Sequence, residues 1–117
     1  VIREVAQTES VIIVGRGGQV ILREHPNALH VRICAPVALR ARRLMERLGG
    51  DQKEAERQVI QSDRERARYL KHYFNEAWDD PTLYHLVLNT GVLTTEAAAH
   101  LVIEAARALR GSAPELM

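Results

Sequence analysis

Ala28-Leu29-His30-Val31-Arg32-Ile33-Cys34-Ala35-Pro36 is the stretch that decides the fold. Its apolar, partly β-branched centre has the length of a strand. Pro36 closes it, and the fixed φ of proline suits the first position of a helix. The helical pattern then runs to Leu48 and stops at Gly49-Gly50. A strand that feeds a helix suggests layered α/β architecture if the alternation continues on either side.

It does continue. Upstream, Val11-Ile12-Ile13-Val14 is an unbroken β-branched run closed by Gly15. That pattern predicts a strand buried on both faces, as in a parallel sheet. After Gly15-Arg16-Gly17-Gly18, residues 19–24 predict a short helix ending before Pro26. Downstream, Asp51 starts a second helix, with Glu54 completing a capping box. No breaker follows until about Glu76, and Ile60, Ala67, Leu70 and Phe74 form the apolar stripe. Asp79-Asp80-Pro81 predicts a turn, Tyr84 to Leu88 a third strand, and Asn89-Thr90-Gly91 its end. Thr94 or Thr95 caps a last helix from about Glu96 to Leu109, with Leu101, Val102, Ala105 and Leu109 buried. Val1, Ile2 and Val5 have helical spacing with no cap ahead of them, so residues 1–8 read as the tail of a helix whose start is missing or frayed. Gly111 to Met117 reads as a tail.

The expected architecture is one α/β domain over residues 1–117. It has a partial parallel sheet of about three strands, flanking helices and a helical hairpin inserted between the second and third strands. In such sheets ligands sit beyond the carboxyl ends of the strands. Those ends are Gly15-Arg16, Ala35-Pro36 and Asn89-Thr90, which puts Arg16 and the hairpin on one side.

Composition narrows the possibilities. The chain is 46% hydrophobic and 26% charged, ordinary for a soluble globular domain. A net charge of +1 gives no broad footprint for nucleic acid or an anionic membrane, which leaves the arginines from Arg40 to Arg47 a minor option as a nucleic-acid contact. Lys53 and Lys71 are the only lysines, so basicity here means arginine. That bias fits anion recognition, and it equally fits a gene rich in G and C. Cys34 is the sole cysteine and reads as a core thiol, so the chain suits a reducing cytoplasm. The apolar runs are too short to span a bilayer, and no signal peptide pattern is present. The histidines at 25, 30, 72, 85 and 100 lack metal-ligand spacing. Tyr69, Tyr73 and Trp78 read as packing of the hairpin rather than base stacking.

The chemistry gathers in Ser62-Asp63-Arg64-Glu65-Arg66-Ala67-Arg68-Tyr69. On a helix, Arg57, Gln61, Arg64 and Arg68 share a face within roughly 60°. Guanidinium groups on one stripe repel unless anions come between them. Either Asp63, Glu65 and the acids from Asp51 to Glu56 pair with them, or a phosphorylated ligand does.

Several motifs in this order resemble one family. They are Val11-Ile12-Ile13-Val14-Gly15-Arg16-Gly17-Gly18, Val31-Arg32-Ile33-Cys34-Ala35-Pro36 followed by Leu39-Arg40-Ala41-Arg42-Arg43, Asp63-Arg64-Glu65-Arg66-Ala67-Arg68-Tyr69, and Leu86-Val87-Leu88-Asn89-Thr90-Gly91. Together they resemble the C-terminal half of a cytidylate kinase-like protein with the P-loop nucleoside monophosphate kinase fold, over nearly all of residues 1–110. The resemblance implies ATP-dependent phosphoryl transfer to a pyrimidine nucleotide, with Mg²⁺. It makes residues from about 44 to 76 the lid. It makes Arg64 and Arg68 the catalytic arginines of that lid, Arg16 the holder of the acceptor phosphate, and Glu65 an acid near the pyrimidine ring. Arg40 and Arg43 match arginines at the lid base, and Asn89 and Thr90 sit where the donor base would lie.

Two departures qualify that expectation. The family's G-x-x-x-x-G-K-[ST] phosphate loop has no counterpart in these 117 residues, and Gly15-Arg16-Gly17-Gly18 has no lysine after it. Gln61 stands where narrower cytidylate kinases carry an arginine. The chain is therefore expected to be inactive alone, the loop being either supplied by a missing N-terminal segment or lost. The alternatives are a non-catalytic module that binds nucleotide or phosphate, and an oligomerisation domain that uses open strand edges.

Overall fold

The computed structural model describes Ile2, residues 11–15 and residues 17–111. The expectations placed on Arg16, on the helix within residues 1–8 and on the tail after Gly111 lie outside those residues. The order of elements is α1 (Gly18–Ile21), β1 (Val31–Cys34), α2 (Val37–Leu48), α3 (Gln52–Phe74), a 3-10 turn (Pro81–Leu83), β2 (Leu86–Asn89) and α4 (Thr95–Gly111). β1 and β2 pair in parallel, with Val31 opposite Leu86 and Cys34 opposite Asn89. The α2–α3 hairpin connects them, so the expected α/β alternation and the inserted hairpin are both present.

The sheet of the described residues has two strands. The run from Val11 to Val14 forms none, contrary to expectation. Ile12 is 93% exposed and Val14 86% exposed. β-Branched residues favour a strand only where a neighbouring ladder accepts their backbone groups and covers their side chains. Here β1 and β2 pair only with one another, and neither receives this run. The helix expected over residues 19–24 is also shorter. It ends at Ile21, and its last turns relax through hydrogen bonds from the Arg23 N–H to the Val20 carbonyl and from the His25 N–H to the Leu22 carbonyl.

The hairpin forms where local chemistry dictates. Gly49 and Gly50 take φ of 76° and 96°, a left-handed region that favours glycine. The Asp51 carboxylate then accepts the Glu54 N–H at 2.9 Å and caps α3. Only that half of the capping box forms, because the Glu54 carboxylate turns to Arg57. At the other end Asn75, with φ 53°, terminates α3 just before the expected Glu76. Thr94, of the two candidates, caps α4 by accepting the Ala97 N–H at 3.0 Å.

The core is thin. Its buried apolar residues are Leu22, Ala41, Ala55, Leu70, Leu88 and Ala98. Ala41 and Ala55 lie where α2 meets α3, and small side chains there let the helices approach closely. Ile60 and Leu101, expected in the buried stripes, are 39% and 40% exposed, because no described element covers those faces. Among the described residues, no helix is long and apolar enough to cross a membrane.

Candidate functional site

The carboxyl ends of both strands meet the first turns of α2. Arg40 binds Asp63 of α3 through both guanidinium nitrogens, at 2.8 and 2.9 Å, and donates from Nε to the Ala35 carbonyl at 2.8 Å. One side chain thereby ties α2, α3 and the end of β1 together. The hydrogen bonds from Arg40 hold the Asp63 carboxyl below its ordinary pKa despite partial burial. One turn later, Arg43 donates to the Thr90 hydroxyl at 3.0 Å and to the Thr90 carbonyl at 2.8 Å. Thr90 in turn donates its N–H to the Cys34 carbonyl at 2.9 Å, and the Asn89 side chain accepts the Gly91 N–H at 2.8 Å. The structure thus brings Arg40, Arg43, Asn89 and Thr90 to one end of the sheet.

Arg64, Glu65 and Arg68 occupy a different place, the outer face of α3. Arg64 and Arg68 are exposed and form no ion pair with a described residue. Arg57 pairs with Glu54, and Glu65 accepts from Gln61 at 3.1 Å. A shallow open groove runs along this face, lined by Arg57, Ile60, Gln61, Arg64 and Glu65 among others. Asp63, a candidate internal partner for the stripe, turns away to Arg40. The signal was present in its position. Asp63 lies three residues after Ile60 and four before Ala67, on the side of α3 that turns toward α2.

Among the described residues, no group of three or more His, Cys, Asp or Glu could hold a metal ion. Arginine therefore sets the chemical character of the site: multiple charged donors, suited to phosphate and carboxylate oxygens.

A profile of the cytidylate kinase-like family matches residues 1–92. The chain belongs to the cytidylate kinase-like family. This cytidylate kinase-like chain is 29% identical over 103 residues to the cytidylate kinase of Aeropyrum pernix, covering 81% of itself and 59% of that protein. It is also 31% identical over 101 residues to the uronate isomerase of Corynebacterium glutamicum, covering 85% of itself but 19% of that protein. A solved structure of an uncharacterized protein from Eubacterium ventriosum matches with a TM-score of 0.85 and 27% identity, over 92% of this chain and 60% of that one. The chain thus spans about three fifths of the kinase and about a fifth of the isomerase.

Proposed function

We propose that this chain supplies the lid and the strand-end part of a nucleotide kinase site. Completed by a phosphate-cradling loop, it transfers a phosphoryl group from ATP to a pyrimidine nucleoside monophosphate in the cytoplasm. The observation that carries this reading is the exposed pair Arg64 and Arg68, one turn apart on a hairpin that turns at two glycines of positive φ. Phosphoryl transfer needs little covalent help and much charge stabilisation, which two guanidinium groups without internal partners can give.

Each residue then has a task. Arg64 and Arg68 bind the phosphate oxygens as the hairpin closes and excludes water. Arg16 holds the acceptor phosphate, and Glu65 meets the pyrimidine ring. Arg40, fixed to Asp63, holds the hairpin base in register. Arg43 keeps the Asn89–Thr90 turn in place for the donor base. ATP, when bound, supplies the phosphoryl group and carries its Mg²⁺. The described residues offer no carboxylate cluster for that ion, so no metal ligand is assigned.

The test is a titration with CMP, UMP and ATP beside a coupled turnover assay. Nucleotide binding without turnover is expected, since these 117 residues contain no G-x-x-x-x-G-K-[ST] run. Arg64→Ala and Arg68→Ala should each weaken binding roughly tenfold, the worth of one charge-assisted hydrogen bond set. Turnover by the chain alone overturns its incompleteness, and unchanged binding in both variants overturns the lid role.

Self-association has an observation of its own. Ile12, Val14, Ile33 and Val92 are all more than half exposed, and the sheet of the described residues has two strands with open outer edges. An assembly module would use them, and light scattering showing a monomer at every concentration would exclude it.

A further inference from the structure

The amino ends of the strands carry a cluster that the proposed function does not use. His30 is buried just before β1, and its ring stacks on that of His85, just before β2, with centroids 5.1 Å apart and planes 10° apart. The His30 Nε2 donates to the Leu22 carbonyl at 3.1 Å, and the same carbonyl accepts the His25 N–H at 3.0 Å. The His85 Nδ1 accepts the His30 backbone N–H at 2.9 Å, and the His25 Nδ1 accepts the Asn27 N–H at 3.2 Å. His30 and His85 thus fasten the connection between α1 and β1 to the start of β2, and His25 braces the turn within it.

Every one of these bonds belongs to a neutral imidazole. A carbonyl only accepts, so His30 carries its hydrogen on Nε2. An Nδ1 that accepts an N–H carries none, so His25 and His85 also hold theirs on Nε2. A proton added at Nδ1 of His85 or His25 sets N–H against N–H and ends the bond. At His30, burial pushes the pKa below 6.5 against the pull of the Leu22 bond, and the charges of His85 and His25 add to that effect.

No neighbouring group compensates an added charge. The three histidines form no ion pair with a described residue. Arg23, just after α1, is taken by Glu76, and the exposed Glu24 pairs with no described residue. Arg32 of β1 and Arg66 of α3 lie at the Trp78 ring, 4.6 and 5.1 Å from its centre. The Tyr84 hydroxyl donates to the Trp78 carbonyl at 2.6 Å, and Asp79 acts on that tyrosine. The α2–α3 hairpin has no such sensitivity. Arg40 is held above its ordinary pKa and Asp63 below its own, so their pair keeps both charges through the histidine range.

We propose that His25, His30 and His85 form a proton-operated latch, which holds the connection from Leu22 to His30 against the start of β2 and releases it in acid while the hairpin stays folded. The open connection takes up protons more readily than the closed one, so falling pH favours opening. The exposed His85 gives the proton its way in. The connection joins α1, and through it the Gly15–Gly17 loop, to the sheet, so the latch sets how firmly that loop is held. It does not depend on the kinase reading.

The test is backbone amide exchange of the 117-residue protein, followed by NMR on either side of the ordinary histidine pKa, at about pH 7.5 and about pH 5.5. Rates are corrected for the intrinsic pH dependence of exchange. Protection of the His30 and Asn27 amides should fall about tenfold or more in acid, since each proton taken up on opening shifts the equilibrium by up to about tenfold per pH unit. The Gly49 amide, bonded to the Met45 carbonyl at 2.7 Å at the end of α2, should keep its protection. His85→Asn puts an amide oxygen near the Nδ1 position and cannot take up the proton, so the pH dependence at His30 should shrink. His30→Gln keeps a donor for the Leu22 carbonyl and carries the test if His85→Asn fails to fold, with circular dichroism confirming the fold. His100→Gln, on the exposed side of α4, should leave the dependence intact. Equal loss of protection at Gly49, protection at His30 that ignores pH, or an undiminished pH dependence in the folded variant overturns the latch.

Discussion

Asp63 and His30 show how single side chains set the behaviour of this chain toward acid. The Asp63 carboxyl is held below its ordinary pKa of 3.8, chiefly by the hydrogen bonds from Arg40. Its pairing therefore stabilises the fold above that value and is lost as pH falls toward the depressed folded value. The two side chains are 30% and 27% exposed, so water screens part of the attraction. Asp63→Asn should cost about 1–2 kcal/mol at neutral pH and flatten the acid limb of the melting-temperature profile. An unchanged limb would remove Asp63 from that account. His30 acts at higher pH. Burial pushes its pKa below 6.5, and its ring stacks on His85 at 5.1 Å. The His85 Nδ1 accepts the His30 backbone N–H at 2.9 Å, a bond that needs that nitrogen unprotonated. The unfolded chain takes up the His30 proton first as pH falls, so stability should decline below pH 6.5 and stay level above it. Proton titration of His30 by NMR checks the direction, and a value above 6.5 would contradict it.

At the scale of elements, the hairpin and the glycine loop depend on glycine for different reasons. A Cβ at Gly49 would meet nothing, so Gly49→Ala bears only the strain of positive φ, about 1–2 kcal/mol. Gly17, with φ of 70°, packs against the Phe74 ring at the end of α3, and a Cβ there would overlap that ring. Gly17→Ala should therefore destabilise more than Gly49→Ala. Urea unfolding of the two variants decides it, and the reverse order would show that the loop does not rest on α3. Asp51→Ala should cost about 1 kcal/mol through loss of the α3 cap, read in the same experiment.

The whole molecule is extended for its length. Its radius of gyration is 16.1 Å, against roughly 13 Å for a compact chain of this size. Among the described residues no large side chain is fully buried, and half of the buried apolar residues are alanines. Such a core offsets little conformational entropy. The unfolding enthalpy measured by calorimetry should fall well below the roughly 0.7 kcal/mol per residue of ordinary domains. A sharp transition with the full enthalpy would show that the exposed apolar surface is covered in solution.

The sequence by itself determined the family and the ends of the hairpin and of the last helix. Gly49-Gly50, Asp51, Pro36 and Thr94 punctuate the chain through interactions a few residues long. Helical periodicity also put Arg57, Arg64 and Arg68 on one face without reference to anything distant. Tertiary structure alone decided where the arginines find partners. Arg40 reaches Asp63 and Arg43 reaches Thr90 across long stretches of chain, and no periodicity encodes such pairs. It also decided that Val11 to Val14 stay outside the sheet, because a strand forms by pairing and its own residues supply only half of the ladder. The placement of Arg32 and Arg66 over Trp78 was illegible for the same reason. Three residues from a strand, a helix and a loop become neighbours only once the hairpin folds back on the sheet.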